Sequence, residues 1–204
     1  MVEVAAIVLA AGRSTRFSGG ADGVTKLAAE LDGAPLVRHA VEAATGCGTR
    51  PVVVVTGHAR DRVVAALAGL SIVEAPNPDF ASGIASSVRT GLAALNESVD
   101  GALVFLGDMP RVTAALARRL IDAFAADPQL DAVAPLVEGR RGNPILLSRR
   151  LFAAAMKLEG DEGARRILMR PDLRIAEVAI DDDGAAIDVD TPEALHFLGK
   201  GSGG

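Results

Sequence analysis

Short runs of continuous apolar residues alternate along this chain with stretches whose apolar positions recur at helical spacing. The first run, residues 4–9, breaks into Ala10-Ala11-Gly12 and then a loop rich in glycine, serine and threonine that carries Arg13, Arg16 and Lys26. A short apolar run bounded by turn residues predicts a strand buried on both faces. Similar runs predict strands at 51–56, 71–75, 101–106, 131–136, 142–147 and 173–178, and 27–33 reads as a short extended piece with a turn. Between them, 35–44 places Leu36, Val37, Ala40, Val41 and Ala44 at helical spacing, with proline at the start. A second helix is predicted over 59–70, with Val63, Val64, Leu67 and Leu70 on one face, and a third over 84–95. Thr113 is placed to cap a helix whose buried stripe is Leu116, Leu120, Ile121 and Phe124. Helical patches follow at 149–157 and 163–169, and Thr191-Pro192 opens the last helix.

Regular alternation of strand and helix implies right-handed crossovers and a largely parallel sheet with helices on both faces. No linker, repeat or low-complexity block divides the chain, so we expect a single α/β domain over 1–198 and a flexible tail over 199–204.

Small residues at the end of the first run leave room for a ligand to approach the backbone. Three cations follow where an open α/β sheet places its ligands, outside the carboxyl ends of the strands. Neither familiar phosphate fingerprint is present. Lys26 lies between Thr25 and Leu27, which excludes a Walker loop, and the glycines at 12, 19, 20 and 23 lack the spacing of a dinucleotide motif.

Asp108, in Gly107-Asp108-Met109-Pro110, falls just past the apolar run at 101–106, on the same edge as Gly12. It reads either as a magnesium ligand or as a turn aspartate bonded to its own backbone. In Asp188-Val189-Asp190 the alternation puts both carboxylates on one face of an extended segment, where one could join Asp108 on the metal. Asp181-Asp182-Asp183 reads as a solvated turn. Ser86 and Ser87 fall in the first turn of a helix after Gly83, a setting that suits an anion and equally suits ordinary helix-start chemistry. His39, His58 and His196 have no ligand spacing.

Half of the residues are hydrophobic and the formal net charge is −5, with no Trp, no Tyr and six Phe. Nucleic-acid binding wants a basic patch and aromatic platforms, and neither is present. The single cysteine, Cys47, excludes an intramolecular disulfide and a multi-cysteine zinc site. With no signal-like opening and no run long enough to span a bilayer, a cytoplasmic protein without membrane contact is expected.

The segment from Leu9 to Phe17, with Lys26-Leu27 after it, resembles the LAAGxSxRMGxxK signature of the MobA-like nucleotidyltransferases, which include the molybdenum cofactor guanylyl- and cytidylyltransferases. Three further stretches are similar to that family, in the same order. They are Asn77-Pro78-Asp79-Phe80-Ala81-Ser82-Gly83 with Ser86-Ser87, then Gly107-Asp108-Met109-Pro110, then Gly142-Asn143-Pro144, and Asp188-Val189-Asp190-Thr191-Pro192-Glu193 matches its closing motif.

The resemblance implies a three-layer α/β/α, Rossmann-like fold with the nucleotide over the strand ends. Leu9, Ala10, Ala11, Gly12, Arg13 and Ser14 would hold the nucleotide, with Arg16 and Lys26 on the triphosphate. Asp108 would hold Mg2+, assisted by Asp188 or Asp190, so that Lys26, Arg16 and Asp108 carry catalysis. Asn77, Ser86, Ser87, Gly142, Asn143 and Pro144 would face the acceptor. The LAAG form goes with cytidylyl transfer, so Ala11 implies CTP and a phosphorylated pterin-type acceptor, with a molybdoenzyme or its chaperone downstream.

Two departures from the signature stand out: nine residues separate Arg16 from Lys26, and Phe17 replaces the usual methionine. Lengthening a flexible loop costs only about 0.6 kcal/mol per doubling, so closure remains feasible. Competing readings are transfer to another phosphorylated acceptor, a nicotinamide-dependent oxidoreductase on the same scaffold, and a non-catalytic carrier of the cofactor.

Overall fold

The computed structural model of the protein describes residues 2–19 and 24–200. Its first strand, β1 (Val4–Ala10), lies between β4 (Val52–Thr56) and β6 (Gly101–Leu106), parallel to both. That central place explains the unbroken apolar run, because a strand covered on both faces has no side for polar residues. Alternate residues serve opposite cores. Val4, Ala6, Val8 and Ala10 pack with α2 (Leu36–Gly46), α3 (Arg60–Ala66) and α5 (Ala114–Ala126). Ile7 packs with α4 (Ile84–Ala93), α6 (Phe152–Ala155) and α7 (Ala164–Ile167). The result is the expected three layers.

The remaining strands of the sheet are β5 (Val73–Pro76), β7 (Ala132–Val137), β8 (Arg140–Arg141), β9 (Ile145–Ser148) and β10 (Ile175–Ala179). Their order is β10-β7-β9-β6-β1-β4-β5, with β8 paired to β7. A small hairpin of β2 (Glu30–Leu31) and β3 (Ala34–Pro35) stands apart. The short helix α1 (Thr15–Ser18) follows β1, and α8 (Pro192–Lys200) ends the described chain. Residues 199 and 200 therefore belong to a helix rather than to the tail expected from 199; 201–204 lie outside the described residues. No helix among the described residues is long and apolar enough to cross a membrane.

One strand departs from the parallel pattern. β9 runs antiparallel between β6 and β7. After β7 the chain turns at Glu138 and Gly139, both with positive φ, and returns as β8 and then β9. Leu136 faces Arg141 while Ala132 faces Leu147, so the returning strand carries two residues more than a regular ladder. Gly142-Asn143-Pro144 is that bulge, and bulges re-aim side chains at sheet edges. A Cβ on Gly142 would lie 2.3 Å from the Ala185 carbonyl oxygen, and the Asn143 N–H donates to that same oxygen at 2.9 Å. Only glycine lets the 185 segment seat against the bulge.

Several boundaries shift from those expected. The helix expected over 59–70 is the shorter α3, which buries Val63 and Leu67 and leaves Val64 exposed. A single helix over the sheet near its edge covers a narrow i, i+4 stripe, and position 64 lies about 100° off it. The patches at 149–157 and 163–169 each shrink to one turn of α-helix, α6 and α7. Thr113 caps α5 as expected, its Oγ1 accepting from the Leu116 N–H at 3.1 Å.

Candidate active site

The carboxyl ends of β1 and β6 and the bulge before β9 open on one edge of the sheet, and the predicted residues gather there. Beyond β1 the chain enters Ser14 with φ at 54°, then α1. Ser14 Oγ accepts the Lys26 N–H at 3.2 Å and lies 3.3 Å from Thr25 Oγ1. Thr25 Oγ1 in turn accepts from the Leu27 N–H, and Leu27 is buried in the core. Lys26 is thus fixed from both sides, so the long separation from Arg16 does not set it adrift. Residues 20–23 of that insert lie outside the described residues. Phe17 packs against a small cluster of Leu31, Leu36 and Val189, which gives the larger side chain a seat.

Asp108 follows β6 through Gly107, whose N–H donates to the Leu9 carbonyl at 3.0 Å. Its own carbonyl accepts the Val189 N–H at 3.0 Å. Val189 is fully buried, so Asp188 and Asp190 turn the other way, toward Asp108. One carboxylate oxygen from each of the three lies within 4.8 Å of the others. Lys26 Nζ stands 2.7 Å from Asp108 Oδ2 and 2.8 Å from Asp190 Oδ1, and Arg16 reaches Asp190 Oδ2 at 2.6 Å.

Burial pushes the Lys26 ammonium pKa down, but the charge and hydrogen bond of Asp108, then those of Asp190, outweigh it and hold it above the ordinary lysine value. Burial likewise raises Asp190, and its hydrogen bond and attraction to Lys26, with Arg16 behind, hold it below the ordinary carboxylate value. A depressed carboxylate contributes stability that is present above its unfolded pKa, about 3.9, and lost as pH falls through the folded value. The difference in unfolding free energy between the wild type and Asp190→Asn should therefore be level from about pH 5 to 9 and shrink below about pH 3.9. Denaturant unfolding over that range checks it.

Two adjoining pockets each take in one of these aspartates, Asp108 in the first and Asp188 in the second. The first, of about 340 Å³, is lined by Leu9, Ala11, Gly12, Arg13, Ser14, Lys26 and Asp108, with Phe80 and Ser87 opposite. Arg13 places its guanidinium carbon 5.8 Å from the centre of the Phe80 ring. Ala10 instead faces the core. The second, of about 300 Å³, holds Asn143, Arg165 and Asp188. Leu9, Ile84 and Leu106 line both. Gly142 and Pro144 are buried in the bulge, and Asn143 alone of the three lines the second pocket.

Asn77, Ser86 and Ser87 serve each other. Asn77 is buried; its Nδ2 donates to Ser86 Oγ at 2.8 Å and Ser87 Oγ at 3.1 Å, while its Oδ1 accepts the Asp79 N–H. Ser86 Oγ donates to the Gly83 carbonyl, and the Ala85 N–H donates to the Gly160 carbonyl. Of the two readings of this helix start, the anion site and ordinary helix-start chemistry, these bonds are of the second kind. Of these residues Ser87 alone lines a pocket, and it is the first.

Sequence reasoning gave residues 160–165 no part in the site, reading only a helical patch from 163. This stretch docks Gly160 on the start of α4, puts Asp161 on the first pocket and puts Arg165 on the second. The paired glycines of Gly160-Asp161-Glu162-Gly163 between two helical patches were the available signal.

Residues 6–175 match the family described as the MobA-like NTP transferase domain. Among solved structures, Rv0371c from Mycobacterium tuberculosis H37Rv is 27% identical with a TM-score of 0.85, and 98% of each chain is covered. Its complex with manganese is 26% identical with a TM-score of 0.82, covering 98% of this chain and 99% of that one. The bifunctional protein GlmU of Geobacter metallireducens is 35% identical over 126 residues, which is 62% of this chain and 26% of GlmU. The chain thus spans about a quarter of the length of the curated relatives it matches.

Proposed function

Because the chain belongs to the MobA-like NTP transferase domain family, we propose that it moves CMP from CTP to the phosphate of a molybdopterin-type acceptor and releases pyrophosphate. The observation that carries this reading is a pair of adjoining pockets, one lined by Asp108 and the other by Asp188, whose carboxylates cluster with that of Asp190. The first pocket takes the nucleotide. Leu9, Ala11 and Gly12 offer backbone to base and ribose, and Lys26 and Arg16 neutralise the triphosphate. The second takes the acceptor, where Arg165, exposed and in no ion pair among the described residues, faces its anionic group beside Asn143. CTP is favoured by the likeness of Leu9-Ala10-Ala11-Gly12 to the cytidylyl form of the loop.

Asp108, Asp188 and Asp190 would hold a divalent ion, taken to be Mg2+. Three hard oxygen donors within 4.8 Å suit it, and Lys26 Nζ already stands among them as a cation. When bound, that ion supplies charge neutralisation at the α-phosphate and the leaving pyrophosphate. An acceptor phosphate is an anionic nucleophile and needs no general base. The chain's own residues position the two substrates and offset charge. The product would pass to a molybdoenzyme or its chaperone.

A second reading keeps the chemistry and changes the acceptor to another phosphorylated compound. The similarity to GlmU proteins favours it, since Arg165 and Asn143 would receive any phosphate.

Thermal shifts with CTP, GTP, ATP and NADH, each with and without Mg2+, test the nucleotide. Binding to the folded state at a hundredfold excess over Kd stabilises by about 2.7 kcal/mol. The largest Mg2+-dependent shift is expected with CTP; a shift with NADH alone would overturn nucleotidyl transfer. Pyrophosphate release with pterin and sugar phosphates then separates the two acceptors. For whichever acceptor reacts, Arg165→Gln should raise its KM about tenfold or more and leave the KM for CTP unchanged.

A further inference from the structure

Lys26 bridges two of the three carboxylates, with Nζ at 2.7 Å from Asp108 and 2.8 Å from Asp190. We propose that Lys26 is a built-in counter-ion for the metal position: it offsets part of the charge of the aspartate cluster until a divalent ion displaces it, and the displaced ammonium moves toward the first pocket. The inference rests on the reading that these aspartates hold such an ion.

Three carboxylates this close repel one another, and Lys26, its side chain only 12% exposed, is the cation that touches two of them. Mg2+ binds oxygens at about 2.0–2.1 Å and demands near-octahedral order. Ion and ammonium cannot both sit on Asp108 Oδ2 and Asp190 Oδ1 without two like charges standing almost in contact. The ammonium has somewhere to go. Lys26 lines the first pocket, its backbone is anchored by Ser14, and its four-carbon stem is flexible. Arg16, 73% exposed, holds the other Asp190 oxygen and need not move. The same contact that offsets part of the cluster's charge therefore lowers its affinity for a metal and stores a cation beside the nucleotide pocket.

The chain has three lysines, at 26, 157 and 200, so labelling lysine at Cε with ¹³C gives three signals. Lys26→Met assigns one of them, and Lys26→Arg assigns it should Lys26→Met not fold. On titration with Mg2+ alone, the Lys26 signal is expected to move toward those of Lys157 and Lys200, at the midpoint that calorimetry gives for Mg2+ binding. Lys26→Met should bind Mg2+ at least about tenfold more tightly than the wild type, while Lys157→Met, which removes one distant charge, leaves the affinity unchanged. A Lys26 signal that stays fixed while Mg2+ saturates would overturn the inference and leave the metal site standing. Equal Mg2+ affinity in the wild type and Lys26→Met would do the same. Absence of saturable Mg2+ binding in both proteins would remove the metal reading and this inference together.

Discussion

Asp108→Ala is expected to lower the rate of nucleotidyl transfer by about 10³-fold or more while leaving the protein folded. The size follows from position. Asp108 lines the first pocket, is one of the three carboxylates proposed to hold the ion, and holds Lys26. Removing it takes away charge neutralisation at the reacting phosphates and leaves Lys26 paired to Asp190 alone. The fold survives because the partly exposed side chain is outside the core, and the Asp108 bond to Val189 is made by its backbone carbonyl. Asp108→Asn keeps the shape and loses the charge, so it should fall nearly as far. Turnover within tenfold of the wild type in both variants would place the chemistry elsewhere. Steady-state kinetics with a circular dichroism melt on each variant decides it.

Gly83→Ala should cost about 3–5 kcal/mol of stability, the largest loss expected from adding one carbon. Gly83 has φ at +104°, a region that side chains rarely adopt. Its added Cβ would also lie 2.2 Å from the Gly160 carbonyl oxygen, which accepts the Ala85 N–H. The 160–165 stretch must then lift off α4, taking Asp161 and Arg165 from the two pockets. Gly160→Ala is the control. Gly160 has φ at +55° but open space around it, so strain alone should cost about 1–2 kcal/mol. Denaturant unfolding separates the two variants, and faster hydrogen exchange confined to 160–165 in Gly83→Ala identifies the cause. Equal costs at both positions would mean that docking on α4 contributes nothing.

What could be read from sequence was what depends on local pattern. The run at 4–9 announced a strand covered on both faces, and it is the strand between β4 and β6. The position of Asp108 past a pure apolar run and the alternation in Asp188-Val189-Asp190 both carried through to the carboxylate group. Features that depend on distant partners were hidden. The bulge at Gly142 exists because of the Ala185 carbonyl, more than forty residues away in sequence, and pattern alone does not reveal the antiparallel β9. The resemblance set Asn77, Ser86 and Ser87 toward an acceptor; the bonds from Asn77 to two serines nine and ten residues on, which leave Ser87 on the first pocket, depend on the fold and not on local pattern. Arg165 drew no reading from sequence, because its pocket is assembled from several separate segments.

The brace of Ser14 and Thr25 around Lys26 also bears on how this loop can vary. Since the lysine is held by hydrogen bonds on its own two flanks, the stretch of chain between Gly19 and Val24 is spared the task of aiming it. A change in the length of that stretch should therefore leave the place of Lys26 unaltered, and with it the wall of the nucleotide pocket that Lys26 forms.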